Sequence, residues 1–411
     1  LATLHAPYCP VQFLGSVICP SCGHEGTFGP ARYWFRPPGF AHPVDLEEGT
    51  SPDDQPARSY ATRAKLTAPT PAEADKWSAL NQRIRAYHMR QHLLVSNRGP
   101  RQEGYTYCTL CGRIEPTAAP RGTVGAAHRK PFPDLRDPVC PGERSAKGLV
   151  LGTDFITDVL LISLRVAPPI TLSAGFLATD VALRTVSEAL VKSACTILGL
   201  EPQELQAEYR SALTYAGREG QEAEIYIYDT LPGGAGFVRR VGDAGLEVFR
   251  TALDILDHCP ESCDRSCYRC LRSYKNKFEH DLLDRQVGAS LLRFLIDGTY
   301  PSLDSGRLNV STNLLYEDLA RQRIENVTFE RNQVVMVPGL GEVTAPIHAR
   351  RNDGSTFVIG LHSPLTPDDP PDEGLRNLKE FCPSVQVLLC DELVVRRNLP
   401  RATSDLISMI T

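Results

Sequence analysis

Four cysteines within twelve residues, Cys259-Pro-Glu-Ser-Cys263-Asp-Arg-Ser-Cys267-Tyr-Arg-Cys270, constrain this chain more than any other feature. Their steps of four, four and three follow one face of a helix. A continuous helix would hold the first and last sulfurs roughly 16 Å apart, at about 1.5 Å per residue. Zinc gathers four thiolates at about 2.3 Å each. Pro260 also disfavours an unbroken helix. The segment therefore predicts a helix ending near Cys259, a looped middle and a helix starting near Cys270, with four thiolates on one ion. Four unrelated buried cysteines would not need so regular a spacing.

Cys19-Pro-Ser-Cys22-Gly and Cys108-Thr-Leu-Cys111-Gly are matched C-x-x-C-G knuckles, 85 residues apart. The glycine permits the tight turn that aims backbone N–H groups at the sulfurs. One C-x-x-C alone would also suit redox chemistry; two matched copies favour one shared zinc, split by a long insertion. Cys9, His24 and Cys140 are the substitutes should one ligand differ. The expectation is two Zn2+ per chain, one on Cys259, Cys263, Cys267 and Cys270, the other on Cys19, Cys22, Cys108 and Cys111.

At 411 residues the chain is long enough for two to four domains. Its net charge of −5 excludes a uniformly basic nucleic-acid binder, so any contact with DNA must come from a local patch. Eight of the thirteen cysteines fall in zinc spacings, which points to a reducing, cytoplasmic setting rather than a disulfide scaffold. No membrane role is expected: Arg165 interrupts the most hydrophobic stretch, and no run of 18 apolar residues exists. A start at Leu1 reads as a segment of a longer polypeptide.

The pattern predicts a multidomain α+β or mixed α/β protein stabilised by zinc. Residues 1–146 hold the two knuckles as a split zinc ribbon, with an extended arm from Gly39 to Pro69. Thr70-Pro71-Ala72-Glu73 reads as a capping box opening a helix that carries Trp77, Leu80, Ile84 and Tyr87. Residues 147–298 form the second unit, with a buried central strand at 159–164, a helix from about Gly175 to Leu198, strands at 209–215 and 223–228, and helices either side of the cysteine loop. Residues 299–411 form a C-terminal α/β domain of order helix, three strands, helix, strand.

Pro232-Gly-Gly-Ala-Gly236 lies between a strand and a helix, where backbone amides can hold phosphate, although no Gly-Lys-Ser/Thr follows. Close helix–strand packing explains the same glycines more simply. Arg265, Arg269, Arg272, Lys275 and Lys277, interleaved with Tyr268 and Tyr274, suit phosphate contact and base stacking; a solvated face would give the same string. Asp154, Asp158 and Asp229 flank strands and are candidate ligands of a catalytic metal, though turns and caps account for each.

Three segments carry a resemblance: Gly152-Thr-Asp-Phe-Ile-Thr-Asp-Val159, Tyr228-Asp-Thr-Leu-Pro-Gly-Gly-Ala-Gly236, and Cys267-Tyr-Arg-Cys-Leu-Arg-Ser-Tyr274. They resemble the MrfA-type zinc-binding module at the C-terminus of certain superfamily-two DNA helicases, which include a repair group and the DISARM antiphage helicase DrmA; a related module occurs in its DrmB partner. Tyr33-Trp-Phe-Arg-Pro-Pro-Gly39 and Tyr60-Ala-Thr-Arg-Ala-Lys65 are similar to the segment preceding that module. The resemblance implies zinc on the four clustered cysteines and a helper's role in handling DNA beside a helicase motor. These 411 residues contain no Walker A sequence, so the motor would come from elsewhere in the polypeptide or from a partner subunit. The C-terminal order is similar to a restriction-nuclease core, but Val358-Ile-Gly-Leu-His362 lacks the Glu-x-Lys such a core uses, so that domain is expected to be degenerate. A metal-dependent nuclease and a purely architectural subunit-joining module are the alternatives.

Overall fold

The computed structural model describes residues 16–18, 25–27, 34–36, 63–66, 76–99, 103–117, 124–131, 136–212, 220–337, 341–367, 369–370, 372–382 and 385–411. Strands β1 (Ser16–Ile18) and β2 (Glu25–Thr27) pair with each other. Then come β3 (Trp34–Phe35), β4 (Ala64–Leu66), β5 (Ser78–Ala79), β6 (Ile84–Asn97), β7 (Tyr105–Cys108), β8 (Ile114–Pro116), β9 (His128–Arg129), β10 (Val139–Cys140) and β11 (Ser145–Val166). Helix α1 (Leu177–Leu198), β12 (Leu205–Arg210), β13 (Gln221–Asp229), α2 (Phe237–Ala244) and α3 (Leu246–Asp257) lead to the cysteine loop; a 3-10 helix (Lys277–Leu282) and α4 (Arg285–Asp297) leave it.

One sheet organises this part, with core order β12-β13-β11-β6-β4. The apolar run at 159–164 is its central strand, pairing with β13 on one side and β6 on the other. Alternation sorts its side chains. Leu160, Ile162 and Leu164 face the helices and join Val186, Leu190, Phe249 and Leu292, while Val159 and Leu161 meet Met89, Leu93, Tyr226 and Tyr228 on the other face. The sheet curls around that second cluster: the Tyr226 hydroxyl on β13 donates to the Ala64 carbonyl on β4 at 3.0 Å. Arg63 lies over the Tyr209 ring of β12 at 5.8 Å.

Two expectations change. The helix read through Trp77, Leu80, Ile84 and Tyr87 is a hairpin, β5 turning through 80–83 into β6, and residues 84–97 pair with β11 over their whole length; the proposed capping box at 70–73 lies outside the described residues. The reason lies in partial coverage of the two faces. Ile84 and Ala86 sit under the helices, Met89 and Leu93 under the curled face, and His88, Arg90 and His92 are more open to solvent. The apolar residues at 77, 80, 84 and 87 fit helical spacing by number, but Trp77 and Tyr87 meet across the β5–β6 hairpin, their ring centroids 6.0 Å apart. The boundary read at 146 falls inside β11, which runs unbroken from 145 to 166. Much of the extended arm lies outside the described residues, although 64–66 form β4.

Helix α1 begins and ends as its sequence predicts, with Gly199 closing it in the left-handed conformation at φ 64°. Arg184 on α1 is 1% exposed. It donates to the Ala207 carbonyl at 3.2 Å and to Glu208 at 2.5 Å, and lies 3.6 Å from Glu279. Burial opposes its charge, but Glu208, Glu279 and Glu188 raise its pKa overall. Burial in turn raises the carboxyls of Glu188 and Glu208. The network ties α1 to β12 and to the 3-10 helix that follows the cysteine loop.

In the C-terminal part, α5 (Ser305–Arg321) precedes β14 (Val327–Val337), β15 (Gly341–Arg351) and β16 (Thr356–His362). Then come α6 (Glu373–Phe381), β17 (Val385–Asp391), α7 (Glu392–Arg397) and α8 (Leu399–Ile410). The helix, three-strand, helix, strand order is present, with β14-β15-β16 antiparallel and β17 parallel to β16. This unit is fastened to the central one. Arg307 lies 3.8 Å from Asp284 ahead of α4, the Thr171 amide donates to the Leu365 carbonyl at 2.9 Å, and Leu365 and Leu393 enter the central core. Among the described residues no helix is long and apolar enough to cross a membrane.

Candidate metal centres and nucleic-acid face

The cysteine loop begins where α3 stops, after Asp257. Ser262 adopts φ 45°, turning the chain back on itself. The four sulfurs then converge: Cys259–Cys263 3.6 Å, Cys259–Cys267 3.5 Å, Cys263–Cys270 3.7 Å and Cys267–Cys270 3.7 Å. A tetrahedron with metal–sulfur bonds of about 2.3 Å has edges of about 3.8 Å, so the set fits zinc. The helix expected to restart near Cys270 does not: a turn spans 268–271, and the next α-helix opens at Arg285.

Neighbouring elements hold the loop in shape. Lys192 on α1 donates to the carbonyls of Arg269 and Cys270, both at 2.6 Å. Arg285 on α4 donates to the Cys263 carbonyl at 2.6 Å and the Leu256 carbonyl at 3.0 Å. Asn276 bridges Glu188 at 2.8 Å and the Leu271 carbonyl at 3.0 Å. Burial opposes ionisation of Cys259, yet the amides of Cys263 and Glu261 and the neighbouring thiols bring it down to about 6. Burial and the adjacent sulfurs push Cys263 far up. Without a cation the set resists full ionisation; a divalent ion supplies the missing positive charge.

Cys108 and Cys111 find their partners in His128 and Cys140. Cys19 and Cys22, expected to share a zinc with Cys108 and Cys111, lie outside the described residues. Burial works against the Cys108 thiol, but amides of Cys111 and Leu110 hold it near 7; burial pushes the Cys111 thiol up to about 11. Cys140 is legible in the sequence as a substitute ligand. His128 is not, although it lies 17 residues from Cys111, far nearer than the other knuckle.

The five basic residues of the loop do not act alike. Arg269 is exposed, with Glu261 at 3.8 Å. Lys275 is exposed and reaches the Gln203 carbonyl at 3.4 Å, and Lys277 stacks over the Tyr274 ring at 4.2 Å. Arg272 is half-buried and donates to the Ser266 hydroxyl at 3.0 Å. Arg265 is half-buried too, 3.7 Å from Asp281, whose backbone carbonyl takes a hydrogen bond from Arg397 of α7. Tyr268 and Tyr274 are 66% and 78% exposed. The outward face is thus Tyr268, Arg269, Tyr274 and Lys275, with the half-buried Lys277 at its edge.

The carboxylates separate. Asp229 is fully buried and accepts hydrogen bonds from the amides of Ala235 (2.6 Å), Phe237 (3.2 Å) and Val238 (3.1 Å). The start of α2 is therefore already capped by the protein's own carboxylate, and the Gly-rich turn serves packing. Asp154 lies 3.3 Å from Arg36 and 3.7 Å from His92. Asp158 sits against Gly234. Asp154, Asp158 and Asp229 do not form a metal-holding group among the described residues.

A zinc-binding domain carried on a mixed α+β scaffold is thus the class the fold and the thiolate loop define. The family model for the MrfA Zn-binding domain matches residues 186–271, from the middle of α1 through the last of the four cysteines. Druantia protein DruE of Escherichia coli is 30% identical over 401 residues, covering 93% of this chain and 20% of that protein. The chain thus spans about a fifth of the length of the curated relative it matches. Among solved structures it is similar to the DUF1998 helicase MrfA bound to DNA, at 14% identity and TM-score 0.32, over 56% of this chain and 24% of that one. The same helicase bound to DNA and AMPPNP gives 13% identity and TM-score 0.20, over 31% of this chain and 20% of that one.

Proposed function

We propose that this chain is the zinc-stapled accessory region of an antiphage-defence helicase in the cytoplasm, contacting DNA beside an ATPase motor. The motor would lie in the same polypeptide or in a partner subunit. The observation that carries the reading is the face built on the thiolate loop: two exposed tyrosines with Arg269, Lys275 and Lys277, on backbone anchored by Lys192 and Arg285. Cations position a phosphate backbone and tyrosines stack on bases without needing a given sequence. The Druantia relative favours defence over repair, and the match to the MrfA Zn-binding domain agrees with a helicase setting. When bound, zinc would supply the charge that lets the four thiolates coexist; it would fix the loop and take part in no reaction.

A mobility-shift assay on plasmid and oligonucleotide DNA, with and without magnesium, tests this. A shift without cleavage is expected. Cleavage would favour the nuclease reading, and neither shift nor cleavage the architectural one.

A further inference from the structure

Cys108, Cys111, His128 and Cys140 offer four ligand atoms within 4.8 Å of one another, and all four side chains are buried. They lie outside the residues matched by the Zn-binding domain model. Two small hairpins assemble them. The turn after β7 is closed by the Gly112 amide on the Cys108 carbonyl at 2.9 Å and the Cys108 amide on the Arg113 carbonyl at 2.8 Å. In the second hairpin, His128 and Cys140 are direct partners across the β9–β10 ladder. The Cys108 and Cys140 sulfurs are 3.6 Å apart, and His128 Nε2 is 3.1 Å from the Cys111 sulfur.

The histidine is also oriented from behind. Its Nδ1 lies 2.7 Å from the Ala126 carbonyl, which fixes the proton on Nδ1 and leaves the Nε2 lone pair facing the sulfurs. Gly142, at φ +72°, is packed so tightly that a Cβ there would collide with the same carbonyl oxygen. The Cys140-Pro141-Gly142 turn is shaped around the imidazole.

We infer that these four residues hold a second structural zinc ion, with three thiolates and one imidazole as its ligands. That donor set suits zinc and excludes calcium and magnesium, which need oxygen ligands. Four protein ligands fill the tetrahedron and leave no position for a reacting water. The ion has a definite task. A two-pair ladder such as β9–β10 is too short to persist alone. Zinc ties it to β7, whose Cys108 pairs with Ser145 at the head of β11.

Metal analysis and zinc-edge X-ray absorption on the full chain test this. The parent should carry about two zinc ions, with a shell averaging about 3.5 sulfurs and about 0.5 nitrogen per ion, from one four-thiolate site and one site of three thiolates and an imidazole. His128→Ala should lose about one equivalent, and His128→Cys should regain it with an all-sulfur shell. About one zinc in the parent, an all-sulfur parent shell, or full zinc in His128→Ala would each overturn the assignment. None of these results bears on the DNA reading, which rests on the loop at 259–277. The spectrum of the parent protein decides the matter even if the alanine variant does not fold.

Discussion

Asp229 Oδ1 accepts the amide of Val238, nine residues further along the chain, at 3.1 Å. Its other oxygen takes Ala235 and Phe237, so one buried carboxylate replaces the anion that a helix N-terminus commonly attracts. Asp229→Ala would leave buried amides without acceptors and should cost at least about 2 kcal/mol. Asp229→Asn keeps one acceptor oxygen and should recover part of that loss. Denaturant unfolding of the two variants checks the order; equal stability to the parent would remove the capping role.

Cys267→Ser should destabilise the protein far more than Cys195→Ser. Cys267 is a ligand of the sulfur tetrad, whereas Cys195 is an ordinary buried thiol on α1 that approaches the Glu201 carbonyl at 3.7 Å. Loss of a structural ligand removes several kcal/mol of metal-coupled folding energy, in contrast to about one or two for a buried side chain. Strong chelator should destabilise the parent at least as much as Cys267→Ser does, because it strips both sites. Matching melting temperatures for the two variants would argue against zinc on this loop.

Arg269, Arg272 and Lys275 changed together to alanine should weaken DNA binding and leave zinc content intact. Removing a cation that neutralises one phosphate lowers the slope of log affinity against log salt by about 0.7 to 0.9. Arg272, which donates to Ser266, should contribute least. An unchanged slope would reduce the patch to a solvated surface.

Asp391, at the end of β17, gives a pH signature. Burial pushes its carboxyl from an ordinary 3.8 up to about 6, although His362 and the Leu393 amide act in the opposite direction. A raised folded-state value means that the native form binds the proton more tightly. The stabilisation is therefore full below about 3.8 and disappears as pH rises through about 6. Asp391→Asn has no such titration and still offers an oxygen to the Leu393 amide. Its melting temperature relative to the parent should climb between about pH 4 and about pH 6. Parallel curves for parent and variant would show that Asp391 titrates normally.

What the sequence disclosed depended on how local the cause was. The thiolate loop, the α1 stop at Gly199 and the 159–164 strand rest on near neighbours, and each is readable. Residues 84–97 are not, because their burial is set by helices on one face and a curled sheet on the other. The second ligand set is half legible. Cys108 and Cys111 announce a knuckle, but the matching motif at Cys19 and Cys22 draws attention from His128, which carries no local mark until β9 and β10 pair. Asp229 reads as a possible metal ligand, and only the geometry of the turn shows its oxygens already taken.

The unbroken course of β11 has a practical meaning for anyone cutting this protein. The family match starts at 186, inside α1, and the expected domain boundary lies at 146–147, inside β11. A fragment beginning at residue 147 would lose the whole of β6, which pairs with β11 from Leu151 to Leu164. It would carry a long apolar edge with open backbone donors and acceptors, ready to add strands from other copies. Clumping of such a fragment on expression would then reflect a missing neighbour and say nothing against the integrity of the zinc loop it contains.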